Sequence, residues 1–165
     1  MVCEVLSEAA VQNLERRARW AKRRASVTVV AIVELDLDLS RVKRKIVHPK
    51  HGLGWSKERA DRAEQMYRNF LVLVGLRSAK RLVPFDDIDE MWHFHILDTV
   101  KYRDDCEMIF GHYLDHHPYF GMEGPEDEAA LEAATEDTRR LYEVYFGPIP
   151  GTARSQSCET IACGV

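Results

Sequence analysis

The stretch "SKERADRAEQMYRNFLVLVG", residues 56–75, decides the fold class because it reads as one long amphipathic helix. The residues of its apolar face are Ala60, Ala63, Tyr67, Phe70 and Val74. They recur three and four residues apart, which is the period of one face of an α-helix. Ser56 is a good N-cap and Gly75 a suitable stop. The pattern therefore predicts a helix over this stretch that packs by one face.

Four further segments carry helical patterns. They run from Ser7 to about Ala25, over residues 39–47, from residue 87 to about Tyr113, and from Pro125 to residue 146. Ser7 and Asp86 are good N-caps, and proline is favoured in the first turn of a helix. Gly147 and Pro148 end the last segment. These signals predict helices joined by loops.

Residues 26–40, "SVTVVAIVELDLDLS", are the exception to this pattern. Their β-branched side chains and partial alternation indicate a strand, but an isolated strand needs a partner, and no other segment predicts one. A chain of 165 residues fits one domain with a substantial core. We therefore predict a mainly α protein, a single-domain helical bundle of about four to five helices with a flexible C-terminal tail.

The charge and the cysteine content indicate where such a protein resides. The formal net charge of −4 gives no strong field toward nucleic acid or membranes. The longest apolar run, residues 27–33, is far shorter than the roughly 20 residues that cross a bilayer. Four cysteines do not form a dense disulfide framework. We expect a cytoplasmic protein with no membrane partner.

The stretch "DIDEMWHFHILDT", residues 87–99, places His93 and His95 one residue apart. On an ideal helix these two side chains point about 200° apart, so they bind one ion only if the helix is distorted. Asp89 and His93 are four residues apart and lie side by side on one face. Such a pair of a carboxylate and an imidazole is typical of metal sites in helical bundles.

Three more candidate ligand residues follow in the sequence. His112 and His116 repeat the spacing of four residues. On one straight helix, that end lies about 28 Å from His93, so His93 and His116 meet only if the chain bends, and Gly111 is a suitable place for a bend. Cys106 shares a face with His95, but roughly 16 Å of helix separates the two residues.

Four stretches together resemble bacterial members of the glycine-rich domain-containing protein-like family. They are "LDLSRVKRKIV", "GWSKERADRAEQMYRNFL", "DIDEMWHFHILDTVKYRDDC" and "FGHYLDHHPYFGM". The resemblance covers residues 35–147. Five residues match its motif, namely Trp92, His93, His95, Cys106 and His116. The match implies a role for these residues in the shared fold, and packing would serve that role as well as chemistry.

The resemblance divides the chain into three parts. Residues 1–34 form an N-terminal basic helix and a connecting segment, and residues 35–147 form the helical domain. Residues 148–165 are a flexible tail that contains Cys158 and Cys163. This pair alone is a weak zinc signal.

Our leading hypothesis is a small metal-binding protein. His93 and His95 are the first candidate ligands, and the second candidates are Asp89, Cys106, His112 and His116. Most of these residues offer nitrogen or oxygen donors, which indicates zinc or non-haem iron and not a metal cluster bound by thiolates. Whether the protein is also an enzyme depends on an open coordination position, so the sequence leaves this question undecided.

Two alternatives remain. In the first alternative, the protein is an interaction module that binds a protein partner. Its histidines and Cys106 are then hydrogen-bonded or apolar core residues. The other alternative is RNA binding by the basic N-terminal helix, whose arginines surround Trp20. The arginines in question are Arg16, Arg17, Arg19 and Arg23. These charges wrap most of the helix, which is also typical of a solvated surface, so nucleic acid is the weaker alternative.

Overall fold

The computed structural model describes residue 35, residues 37–76 and residues 81–151. Within these ranges all regular secondary structure is helical. The helices are α1 (Ser40–Val47), α2 (Lys57–Leu76), α3 (Asp87–Leu97), α4 (Thr99–Phe110) and α5 (Pro125–Phe146). The mainly α bundle predicted from the sequence is confirmed. No helix in the described part of the chain is both long and apolar enough to cross a membrane.

Several predictions fall outside these ranges. They concern the first helix from Ser7 to Ala25, the arginines around Trp20, most of the strand expected over 26–40, and the pair Cys158 and Cys163. Of the expected strand, Leu35, Leu37 and Leu39 are described, and they are buried core residues without strand structure. At the other end, Ile149 is also buried in the core, two residues beyond the boundary predicted at residue 147.

Helix α2 is the centre of the bundle, as its apolar pattern predicts. It contacts α1, α3 and α5. Tyr67, Phe70 and Leu73 are almost completely buried. The Ser56 hydroxyl accepts a hydrogen bond from the backbone N–H of Arg59 at 3.2 Å, which confirms the predicted N-cap.

Asp86 occupies the predicted N-cap position, but the predicted capping by its side chain is wrong. Asp86 does precede α3, but its side chain makes no capping hydrogen bond, and its φ angle is 48°. The carboxylate instead accepts hydrogen bonds from Arg139 of α5, at 2.8 and 2.9 Å. The side chain therefore joins two elements, while the left-handed backbone turns the chain into α3.

The single helix predicted from residue 87 to about Tyr113 is also wrong. Asp98, with φ −85° and ψ 67°, separates α3 from α4. Hydrogen bonds across this break join Trp92 Nε1 to the Tyr102 hydroxyl at 2.8 Å, and His95 Nε2 to Asp105 Oδ2 at 2.8 Å. Both pairs are ten residues apart, which corresponds to about 15 Å along a straight helix. These contacts exist only because α4 folds back against α3.

His95 lies in the centre of this buried polar network. Its side chain is 1% exposed, and Asp105, its partner, is 10% exposed. On the other side of the ring, Nδ1 lies 2.9 Å from the Tyr67 hydroxyl. Burial raises the pKa of Tyr67 well above its ordinary value, so this hydroxyl stays protonated in its hydrogen bond with Nδ1. Lys101 Nζ donates to Asp105 at 2.7 Å and balances its charge.

We predict that His95→Ala destabilises the protein by about 2–4 kcal/mol, because it leaves the Tyr67 hydroxyl without a partner, leaves Asp105 with Lys101 alone and opens a cavity in the core. The neighbouring substitution His93→Ala removes a side chain that is 42% exposed and should cost less than about 1 kcal/mol. Urea denaturation of both variants in the presence of a chelator measures the difference. Equal losses in the two variants would contradict this assignment.

Candidate metal site

Helix α3 places the first two side chains of the candidate site. Asp89 and His93 lie one turn apart, with Asp89 Oδ2 3.7 Å from His93 Nδ1. The two side chains are 39% and 42% exposed. They therefore lie on the outer face of α3, whereas His95 lies on the opposite, core-facing side, as the helical period predicts.

The third side chain, His116, arrives from the loop after α4. Gly111 ends α4 with φ 78°, in the left-handed region that favours glycine, and the chain turns there as predicted. The Tyr102 hydroxyl donates a hydrogen bond to the backbone carbonyl of Leu114 at 2.7 Å, which ties the loop to α4. The ring of His116 then packs edge-on against Trp92, with the centroids 5.0 Å apart.

His93 and His116 meet across 23 residues of sequence, with their Nε2 atoms 2.9 Å apart. Together with Asp89 they form a group of three potential ligand atoms that lie within 4.8 Å of one another. In the described residues, this is the group of histidine, cysteine and acidic side chains that is compact enough to share an ion. It contains two nitrogen donors and one oxygen donor.

The surroundings keep the imidazole of His116 uncharged near neutral pH. Partial burial lowers the pKa of His116, and the neighbouring His93 lowers it further. Only one of the two facing Nε2 atoms can carry a hydrogen in the contact at 2.9 Å, so the other presents a lone pair. A metal ion needs the lone pairs of both Nε2 atoms, so its binding would require the shared hydrogen to move, either to Nδ1 of the same ring or to solvent.

The three side chains open onto a pocket of about 590 Å³, which we call the His93 pocket. Its apolar wall includes Leu82, Val83, Pro84, Phe120 and Leu131, and its charged residues include Arg81 and Asp115. The backbone N–H of Val83 donates to the hydroxyl of the buried Thr138 at 3.0 Å, so α5 fixes one side of the wall. Sequence patterns did not identify these residues, because they come from separate segments with no common spacing.

Other sequence-predicted ligands lie elsewhere. Both ring nitrogens of His95 are engaged by Tyr67 and Asp105 in the core, so neither is free for a metal. Cys106 is buried, and burial raises the pKa of its thiol, which keeps the sulfur protonated. His112 is exposed, with its ring against Phe110 at 6.0 Å. The structure therefore groups Asp89, His93 and His116 and leaves these three residues outside that group.

Comparison with known proteins agrees with the sequence motifs. The UCP032817-like family model matches residues 36–141. The chain is 34% identical over 85 residues to "Glycine-rich domain-containing protein 1" of Arabidopsis thaliana, in an alignment that covers 49% of this chain and 10% of that protein. The chain therefore spans about a tenth of the length of this relative. No solved structure matches the chain. Because the family model matches more than half of the chain, the chain belongs to the UCP032817-like family. Its predicted relationship to the glycine-rich domain-containing proteins is confirmed.

Proposed function

We propose that this protein binds one divalent transition-metal ion, zinc or iron(II), through Asp89, His93 and His116. Two imidazoles and one carboxylate are a donor set used by catalytic zinc sites and by non-haem iron(II) sites. The observation that carries the proposal is the separation of 2.9 Å between the Nε2 atoms of His93 and His116. Residues 23 positions apart are brought together with their donor atoms facing each other.

The nitrogen separation is compatible with shared coordination. Two nitrogen ligands at about 2.05 Å from an ion lie about 2.9 Å apart when the angle at the ion is 90°, and about 3.3 Å apart when it is tetrahedral. The observed 2.9 Å corresponds to adjacent positions of an octahedral ion. For a tetrahedral ion, the two rings would only have to move slightly further apart.

Asp89 requires a larger adjustment than the histidines. Its carboxylate lies within 4.8 Å of the other two donors, which is wider than the spacing of ligands on one ion. The side chain is 39% exposed, so it can rotate toward the ion without disturbing the core. Three protein ligands would leave one position open on a tetrahedral ion and three on an octahedral ion, and all three residues line the His93 pocket.

We predict that the purified, tag-free protein binds close to one zinc or iron(II) ion per chain, and that His93→Ala and His116→Ala each weaken the affinity for the ion by about 100-fold or more. Isothermal titration with Zn²⁺, and anaerobically with Fe²⁺, measures the affinity, and elemental mass spectrometry gives the stoichiometry. His112→Ala is the matched control, since it removes an exposed histidine outside the cluster and should leave the affinity unchanged. Equal affinity in all three variants would refute the site.

We also predict that metal binding stabilises the fold. An ion present at 100 times its dissociation constant adds about 2.7 kcal/mol to the free energy of unfolding, so Tm should rise with Zn²⁺ and fall again with excess chelator. The double variant His93→Ala/His116→Ala should have a Tm that neither treatment changes. A rise in Tm that persists in this folded variant would place the ion elsewhere in the chain.

A further inference from the structure

We infer that the His93 pocket binds a small organic acid with a single negative charge, whose carboxylate ligates the metal ion and whose apolar chain lies against Leu82, Phe120 and Leu131. This inference rests on the proposed metal site, because the ion supplies the attraction for the carboxylate. It goes further by assigning a ligand class to the open coordination positions. Charge, lining and volume support it separately.

The charge of the pocket selects an anion only when the ion is bound. Among the lining residues, Arg81 carries one positive charge, and Asp89 and Asp115 carry two negative charges, so the pocket without metal has a charge of −1 when its histidines are neutral. A divalent ion changes this value to +1. A pocket that repels anions therefore becomes one that attracts them, and one carboxylate neutralises it.

The magnitude of the charge also favours a carboxylate over a phosphate. A phosphate monoester carries nearly two negative charges at pH 7 and would leave the pocket with an excess of negative charge. A carboxylate also reproduces the oxygen donor that zinc and iron(II) accept from Asp89. The expected ligand is thus a monocarboxylate.

The wall of the pocket indicates an apolar body for that acid. Leu82, Val83 and Pro84 come from the segment before α3, Phe120 from the loop before α5, and Leu131 from α5. Apolar side chains that converge on a few polar groups are typical of small-molecule sites, and such sites measure about 300–1,000 Å³. At about 590 Å³, the pocket has room for an acid of several carbons.

Arg81 provides a second positive group beside the ion. Its guanidinium carbon lies 4.7 Å from the centroid of the Phe120 ring, so the cation is held over an aromatic face on the pocket wall. In this position it contributes to attraction of the anion without being a metal ligand. Removing its charge should therefore weaken binding of the acid and, because like charges repel, strengthen binding of the cation.

The experiment uses the whole 165-residue chain loaded with Zn²⁺ and titrates it with acetate, butyrate and hexanoate. Hexanoate should bind the zinc-loaded protein at least 10-fold more tightly than the metal-free protein. Each added methylene should increase the affinity by about fourfold while the chain is still being buried. By linkage, saturating hexanoate must tighten Zn²⁺ binding by the same factor by which Zn²⁺ tightens hexanoate binding. Hexanamide, the uncharged analogue, should bind weakly to both forms.

Charge variants make the test specific to this pocket. Arg81→Gln should weaken hexanoate binding several-fold, and Asp115→Asn should strengthen it, and each change should shift the Zn²⁺ affinity in the opposite direction. The matched control for Arg81→Gln is Arg140→Gln, which changes the net charge equally at a side chain on α5 that is 68% exposed and outside the pocket. Asp104→Asn, at an exposed residue of α4, serves in the same way for Asp115→Asn.

The outcomes separate the two proposals. Failure of both Zn²⁺ and Fe²⁺ to bind in the first titrations would refute the metal site itself. Normal Zn²⁺ binding with no response to hexanoate, or with equal affinity for hexanoate in the metal-free protein, would refute only the inferred ligand. Acetate binding as tightly as hexanoate would show coordination at the ion without any contribution from the apolar wall, and would overturn the assignment of an alkyl acid.

Discussion

The hydrogen bond from Trp92 Nε1 to the Tyr102 hydroxyl is the constraint on which the candidate site depends. It holds α4 back against α3, and the same hydroxyl donates to the carbonyl of Leu114 in the following loop. One phenol therefore connects α3, α4 and the loop that carries His116. The Trp92 ring also forms the surface on which the His116 ring rests. Without these contacts, α4 would not be held back against α3. Its length would then keep His116 far from His93.

The two histidines of the Trp-His-x-His block perform different tasks because a helix directs them to opposite sides. His95 is directed into the core, where burial makes each of its hydrogen bonds costly to lose. His93 is directed outward and meets His116 at a half-exposed surface. The motif thus combines a structural histidine with a candidate ligand. For both residues to bind one ion, His95 would have to leave the hydrogen bonds that hold it in the core.

The helices were predictable from local signals, and the site was predictable only in part. Apolar spacing and the N-cap at Ser56 located α2, and the pairing of Asp89 with His93 followed from their separation of four residues. The bend at Gly111 was also visible in the sequence. The break at Asp98 was not, since neither proline nor glycine marks it. It is imposed by the contacts between α3 and α4, which are tertiary interactions that a helical period does not encode.

The arrangement of His93 and His116 fits both the metal-free structure and the proposed metal-bound state. A hydrogen bond between two imidazole nitrogens and adjacent coordination of one ion require nearly the same separation, about 2.9 Å. The proton between the rings therefore holds the two donors in place before an ion arrives. Partial burial and the neighbouring His93 lower the pKa of His116, so the pair is poorly suited to carrying two charges. The proposed divalent ion would instead use both lone pairs and the Asp89 carboxylate, and the rings would need little reorganisation to accept it.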